Sequence, residues 1–412
     1  MLKLAQRLKI FVIAIVVSVL ALFAADQLLG LLGFPSDTPF RSSHRENFIK
    51  VRKNIEFEFE FSTNEYGLRY APVDLVKSPD ETRIVLLGDS FTEGVGIAAD
   101  DTFGMYLENL YSPRSGREVR FINAGLGGQG PLEFWRVFRD VGLKLDPDGL
   151  LLCVYANDLA DTPEFLDSQD LYRLYPERQG IEKKFHSLMP RIYLIVEEAI
   201  RIVQRELSKA RGFVGTVAAL AEEKGISKAD FQRWSDALPP ELVAASDRGE
   251  FNKSLLSAGL FNPDYWLEAL EISTPGAERK YQSFTLVLDE IVTAAREQQL
   301  AIAVVYIPSP LQYDPARHAD WNPWIIGGAQ VREAWLTDDT ELQRRLADWT
   351  AAKEIPFLDL APTMRDEVGR GRALNYKLDG HWNTEGHRAA GKAISNWLDE
   401  NSVFDEINEG SP

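Results

Sequence analysis

Ser90 closes a short apolar run, Ile84 to Leu87, that ends abruptly in Gly88-Asp89-Ser90. Such a run bounded by glycine reads as a buried parallel strand, and residues just past a strand's carboxyl end sit where open α/β sheets bind ligands. The turn thus offers one hydroxyl, a candidate nucleophile, at the edge of a sheet. Asp and Ser are equally the residues that cap a helix at a strand-to-helix junction, so the turn alone is also a structural feature. Near the other end of the chain, Asp379-Gly380-His381-Trp382-Asn383 lies in a polar stretch just ahead of an amphipathic helical pattern and supplies an acid and a base. Between them stand Asn123 to Gly130, rich in glycine, and Asn157-Asp158 after a second apolar run, both at expected strand exits.

Those four segments, in this order, resemble the SGNH (GDSL-type) hydrolase superfamily, whose blocks are an early Gly-Asp-Ser, a Gly, an Asn-Asp and a late Asp/His pair. The resemblance covers Arg83 to Asp161 and Ala301 to Leu398. Position by position it implies Ser90 as nucleophile, His381 as base and Asp379 as the residue orienting it. Ser90, Gly128 and Asn157 would form the oxyanion hole. One departure stands out. The commonest family pattern has two residues between acid and histidine, whereas here only Gly380 separates them. The alginate O-acetylation proteins, which look like relatives, also use Asp-x-His beside a Gly-Asp-Ser, with the Asp-x-His earlier in the chain.

The resemblance implies carboxylic ester hydrolysis through an acyl-enzyme, with no cofactor and no metal. Serine is a weak nucleophile at its free pKa, so the histidine would take its proton and return it to the leaving alcohol. Donors set in advance would hold the charge growing on the carbonyl oxygen. An acylated glycan, or another small ester, is the expected substrate, with Trp382, Trp321 and Trp324 as aromatic surfaces on which sugar faces could stack. Ordinary packing is the alternative for each tryptophan. Two other readings stay open. One is an O-acyltransferase that modifies an exported polysaccharide and needs a membrane acyl-donor protein; the other is a non-catalytic envelope binding protein with a relic site.

The elements that would position these groups follow from the hydrophobic pattern. Strands are expected near Arg83–Leu87, Val119–Ile122, Gly149–Tyr155, Ala301–Ile307 and Phe357–Leu360, with helical segments between them. That alternation implies a mostly parallel sheet with helices on both faces, and the resemblance makes it a three-layer α/β/α flavodoxin-like fold. Leu342, Leu346 and Trp349, and again Ala390, Ile394, Trp397 and Leu398, recur at helical spacing and read as core faces. Thr384 is the expected cap of the last helix, and His387 in its first turn reads as scaffold. Ile55 to Phe61 alternates and suggests one extended strand. Between Asp161 and about Lys280 the alternation stops and helical patterns take over, with Ile192, Val196, Ala199, Val203 and Leu207 on one stripe and Gly212 as a stop. This reads as a helical insertion over the mouth of the site. The expected organisation is a cytoplasmic N-terminus at 1–9, an anchor at 10–33 and a stalk or covering strand at 34–80. The hydrolase domain follows in two halves, 81–162 and 284–412, around the insertion at 163–283.

The chain has 412 residues and a net charge of −17, which argues against nucleic acid as a partner because phosphate binding needs a basic face. The single cysteine, Cys153, falls within an apolar run and reads as a core residue. Ile10 to Ala25 is uncharged and predominantly apolar, follows Lys3, Arg7 and Lys9, and resumes after Asp26 as Leu28 to Phe34. At 1.5 Å per residue the first stretch spans about 24 Å, short of the roughly 30 Å hydrocarbon core unless its flanks contribute. A single-pass signal anchor is the expectation, with a cleavable signal peptide as the competing reading; no Ala-x-Ala site appears and the run is long for an h-region. Either way the rest of the chain is exported, at the outer face of an inner membrane if the anchor is kept.

Overall fold

The computed structural model describes residues 2–34, 42–115, 118–172, 180–320 and 331–404. The chain divides into two compact units, a smaller one of Met1–Arg41 with Arg173–Thr216 and a larger one of Ser42–Tyr172 with Val217–Pro412.

In the larger unit the strands are β1 (Ile49–Lys53), β2 (Glu58–Ser62), β3 (Glu81–Leu87), β4 (Glu118–Asn123), β5 (Gly149–Tyr155), β6 (Ala301–Ile307) and β7 (Phe357–Asp359). The last five form one parallel sheet in the order β4-β3-β5-β6-β7, the flavodoxin-like arrangement. They differ from the expected strands only at their ends. Every residue of β3 and β5 is buried, as strands covered on both faces require, and the buried Glu81 and Arg83 of β3 pair with each other at 2.9 Å. Helix Phe103–Ser115 packs on β4 and on helix Thr384–Glu400, while helix Pro131–Asp140 packs on helix Pro275–Glu297, which also lies on β6. Leu342, Leu346, Ala390, Ile394 and Leu398 are buried, and Trp349 and Trp397 pack against the same core.

The alternating run near Ile55 is half of a hairpin. β2 pairs antiparallel with β1, from Ile49 opposite Ser62 to Lys53 opposite Glu58. Phe59 and Phe61 point inward while Glu58 and Glu60 stay in water, the period-two pattern of a half-buried strand. Strand β1 was not expected, because its apolar residues Ile49 and Val51 are exposed. The buried guanidinium of Arg69 lies 5.1 Å from the Phe59 ring centre and 5.4 Å from that of Phe61. It also donates to the Glu93 carbonyl at 2.6 Å, which ties the hairpin to the turn that follows Ser90.

The smaller unit holds helix Leu2–Leu31 and helix Pro190–Glu223 up to its break at Gly212, where φ is 67° and ψ 177°. Only glycine adopts that backbone without strain, so Gly212 redirects the helix at the place where a stop was expected. Asp26 is buried; its Oδ1 accepts from the Arg191 and Ile192 amides at 2.7 and 2.9 Å, capping the start of the second helix. The expected anchor at 10–33 is not supported as a membrane span, since no helix among the described residues is long and apolar enough to cross a membrane. Asp26 cuts the apolar run at a length of about 24 Å, short of the hydrocarbon core.

Candidate active site

Strand β3 ends at Leu87 and the chain turns at once into the short helix Ser90–Glu93. Gly88 is required there, because a Cβ would meet Thr92 Oγ1 at 2.1 Å and the Cys153 carbonyl at 2.7 Å. Asp89 caps the helix through Oδ1, which accepts from the Phe91 amide at 2.9 Å. Gly94, at φ 81°, ends it. One turn therefore aims the Ser90 hydroxyl beyond the carboxyl end of the sheet. The chain leaves β3 for β4 on one side and returns to β5 on the other, the switch point where open α/β sheets bind ligands.

His381 Nε2 lies 2.8 Å from Ser90 Oγ, and His381 Nδ1 is hydrogen bonded to Asp379 Oδ1. The single residue between acid and histidine suffices because Gly380 has φ +89°, a left-handed turn that lets both side chains meet on one short loop. With Nδ1–H directed at the carboxylate, the Nε2 lone pair is free to accept from the serine hydroxyl. Burial lowers the His381 pKa, but the charge and hydrogen bond of Asp379 more than offset it, so the ring titrates above its ordinary value. Phe91 forms the bed of the site, with its ring 5.1 Å from that of His381 and stacked on Tyr155 at 4.1 Å.

Asp89 has a second role beside the cap. Its Oδ2 is 3.2 Å from Ser90 Oγ, and burial pushes its carboxyl up to about 6 against the pull of the Phe91 amide and His381. Asp158, fully buried with Oδ2 accepting from the Tyr155 amide at 2.9 Å, is held well above the usual carboxylate range by burial and by the nearby charge of Asp89. It braces the turn after β5 that carries Asn157.

Ser90, Gly128, Asn157, Asp379 and His381 all line one open cleft of about 1050 Å³. Gly128 has φ +72° with nothing within 4 Å of the place a Cβ would occupy, so its backbone is presented bare. The adjoining Gly127 must be glycine for packing reasons, since a Cβ would lie 2.1 Å from Glu93 Oε2. The segment after Asp161 supplies one wall of the cleft with Phe251, Leu255, Tyr265 and Trp266. The Tyr265 hydroxyl donates to Asp161 Oδ1 at 2.9 Å and so ties that wall to the turn bearing Asn157.

The structure departs from the sequence reading at two places. Trp382 is fully buried, donating from Nε1 to the Tyr313 hydroxyl at 3.1 Å, so it offers no face to a substrate. Trp321 and Trp324 lie outside the described residues. The last helix is capped by Asn383 in place of Thr384, its Oδ1 accepting from the Glu385 and Gly386 amides at 2.9 and 3.2 Å. His387 is scaffold, as expected: burial pushes its pKa down to about 3, and neutral Nδ1 accepts from the Phe103 amide at 3.2 Å.

Two site residues escaped the sequence reading. Asn54 Nδ2 donates to Asp379 Oδ2 at 3.0 Å, and Glu56 accepts from the Leu378 amide at 2.9 Å and the Asp379 amide at 2.7 Å. Both sit in the turn between β1 and β2, more than 300 residues from Asp379 in sequence. The alternation of the following strand marks the element but carries no signal for these two positions.

No family model matches the chain, and no curated protein matches it either. Among solved structures it is similar to a member of the lipolytic protein G-D-S-L family from Veillonella parvula DSM 2008, at 11% identity and a TM-score of 0.34 over 79% of this chain and 98% of that one. It is similar to the lipase/acylhydrolase from Enterococcus faecalis, at 13% identity and a TM-score of 0.34 over 78% and 96%. It is also similar to LAE5, an alpha/beta hydrolase enzyme from the metagenome of Lake Arreo, Spain, at 11% identity and a TM-score of 0.38 over 79% and 97%. Likeness at these scores carries no statement about activity, which rests on the hydrogen-bonded line from Ser90 through His381 to Asp379.

Proposed function

We propose that the protein is a serine-dependent hydrolase of carboxylic esters, with Ser90 as nucleophile, His381 as general base and acid, and Asp379 as the orienting carboxylate. The observation that carries this reading is the continuous Ser90 Oγ, His381 Nε2, His381 Nδ1, Asp379 Oδ1 line opening on a cleft. Ser90 Oγ bonds to the ester carbonyl carbon as its proton passes to Nε2. The tetrahedral oxyanion is held by the Ser90 and Gly128 amides and the Asn157 side chain. Collapse breaks the carbon–oxygen bond to the alcohol, which leaves with the proton from Nε2. Water then attacks the acyl-enzyme with His381 again as base, releasing the acid and restoring the serine. Each oxyanion donor contributes about 3–4 kcal/mol to the transition state.

The substrate in this reading is an O-acyl, most simply O-acetyl, group on an exported glycan. Support comes from the cleft's openness and its mix of aromatic walls, Phe57, Phe251 and Trp266, with polar groups. The same reading holds the larger unit outside the cytoplasm at the inner membrane, attached through helix Leu2–Leu31, whose apolar run follows Lys3, Arg7 and Lys9. The test is burst hydrolysis of p-nitrophenyl acetate by the wild type and Ser90→Ala, with mass detection of an acetyl group on Ser90. We expect a burst and acylation that both vanish in Ser90→Ala. Equal rates in the two proteins would refute the mechanism, and acetate moved to an added oligosaccharide in preference to water would reassign the enzyme as a transferase.

A further inference from the structure

The smaller unit carries a surface that the ester chemistry does not use. Among the described residues, eighteen of the twenty-six exposed large apolar side chains belong to this unit, fifteen of them on helix Leu2–Leu31 and on the helix that begins at Pro190. The charge is equally uneven. Residues 2–34 and 180–216 hold ten lysines and arginines against five aspartates and glutamates, in a chain whose net charge is −17.

Up to its break at Gly212, the helix from Pro190 is strongly two-sided. At 3.6 residues per turn, Ile195, Val196, Ile200, Ile202, Val203 and Leu207 fall within an arc of roughly 160°. All six are exposed, Val203 at 57% and Ile200 at 52%. Arg201 and Arg205 fall on the opposite side of the helix together with Glu197 and Glu198, which pair with Arg201 at 2.8 and 3.5 Å, and Lys209 flanks the apolar arc. Glu206 intrudes near the edge of the apolar arc, where Lys209 pairs with it at 2.8 Å. An exposed apolar face on a helix that is net cationic, with five lysines and arginines against three glutamates from Pro190 to Arg211, is the pattern of a helix lying in the headgroup region of an anionic bilayer.

The start of this helix is fastened to the apolar N-terminal helix. Asp26 caps it through two amides and pairs with Arg191 at 3.3 Å, and the Arg191 Nε donates to the Phe34 carbonyl at 2.9 Å. The one acid of helix Leu2–Leu31 is thereby buried and neutralised, so the exposed apolar side chains run from Ile13 through Leu31 on the same helix. We propose that the stretch Pro190–Arg211 is a lipid-docking helix that lies in the plane of an anionic membrane surface, held by the Asp26–Arg191 junction to the apolar helix Leu2–Leu31. The apolar continuity with helix Leu2–Leu31 and the unit's positive charge select lipid over a second copy of this acidic chain. The inference does not depend on Ser90 or its chemistry.

The test uses the full chain reconstituted with vesicles, carrying an environment-sensitive NBD label at Val203→Cys or at Arg201→Cys. Cys153 does not compete for label, because it is fully buried and its thiol is pushed well above the usual range. With phosphatidylglycerol vesicles bearing acyl-chain nitroxides, the label at 203 is expected to be quenched at least threefold more than that at 201. The contrast should shrink at least threefold when Arg205 and Lys209 are both changed to Glu, or when phosphatidylcholine replaces phosphatidylglycerol. Equal quenching at 201 and 203 would overturn the proposal. So would shielding of 203 that needs no vesicles and grows with protein concentration, which would mean a second copy covers the face. Insertion of helix Leu2–Leu31 alone cannot mimic the expected result, since the readout is the difference between two positions on the other helix.

Discussion

Replacing Asn54 by alanine removes one hydrogen bond from the catalytic line while leaving Ser90, His381 and Asp379 in the protein. Asn54 Nδ2 lies 3.0 Å from Asp379 Oδ2 and both groups are buried. A hydrogen bond to a charged group is worth about 1.5–3 kcal/mol. Asp379 carries its charge in the free enzyme and in the transition state alike, so much of that sum cancels and lowers stability without lowering rate. What remains is orientation: without Asn54, the carboxylate can rotate away from His381 Nδ1 and the imidazolium formed in the transition state loses part of its partner. Assigning half of the bond to that effect gives about 0.8–1.5 kcal/mol, or roughly a four- to twelvefold fall in kcat. The assay is kcat and KM on p-nitrophenyl acetate at the pH plateau, with the downfield Nδ1–H proton signal of His381 followed by NMR. We expect kcat down roughly four- to twelvefold, KM within twofold, and the proton signal broadened or lost. A folded Asn54→Ala protein with kcat within twofold of wild type and an intact signal would refute the claim that the hairpin positions the triad.

Two further outcomes follow from the same loop. Gly380→Ala places a Cβ on a residue at φ +89°, a conformation that costs a non-glycine residue roughly 1–3 kcal/mol; thermal unfolding should move down, and kcat should fall more than KM rises. In the pH profile, His381 must be neutral to act as base and its pKa is raised, so activity should climb with pH through a midpoint above the ordinary histidine value. Asp379→Asn removes the charge that raises it, so the residual activity should keep its rate at lower pH; a midpoint that moves up, or does not move, would contradict the assigned role of Asp379.

The sheet was legible because its strands bury both faces: Gly149–Tyr155 and Ala301–Ile307 are apolar runs too short for a helix and bounded by turn residues, and they form strands over those same residues. Ser90, Asp379 and His381 could be named because a side chain at a strand exit or beside a helix start is local information. The supports of the site were not. Asn54 and Glu56 act on a loop that is distant in sequence, and neither their types nor their neighbours single them out. Trp382 misled for the opposite reason, since a tryptophan next to a candidate histidine suggests a ligand surface, whereas its indole N–H is spent on Tyr313 inside the core. The shift of the last cap from Thr384 to Asn383 is one residue, within the ambiguity of two adjacent good capping types.

Precision at Asp379 is thus a tertiary property of this fold. The loop bearing Asp379 and His381 is neither strand nor helix, and a glycine at its centre makes it locally permissive. Its shape is imposed from three directions: Glu56 takes the Leu378 and Asp379 amides, Asn375 Nδ2 donates to the Gly380 carbonyl at 2.8 Å, and the Tyr376 amide donates to the His381 carbonyl at 2.9 Å. The hairpin that supplies Glu56 and Asn54 is itself fixed by Arg69, whose guanidinium donates to the Glu93 and Gly94 carbonyls at the end of the helix that begins at Ser90. Ser90 and Asp379 are therefore referenced to the same few residues of β2 and its turn. A single-residue spacing between acid and histidine is sufficient in such an arrangement, because the carboxylate is held from outside its own loop.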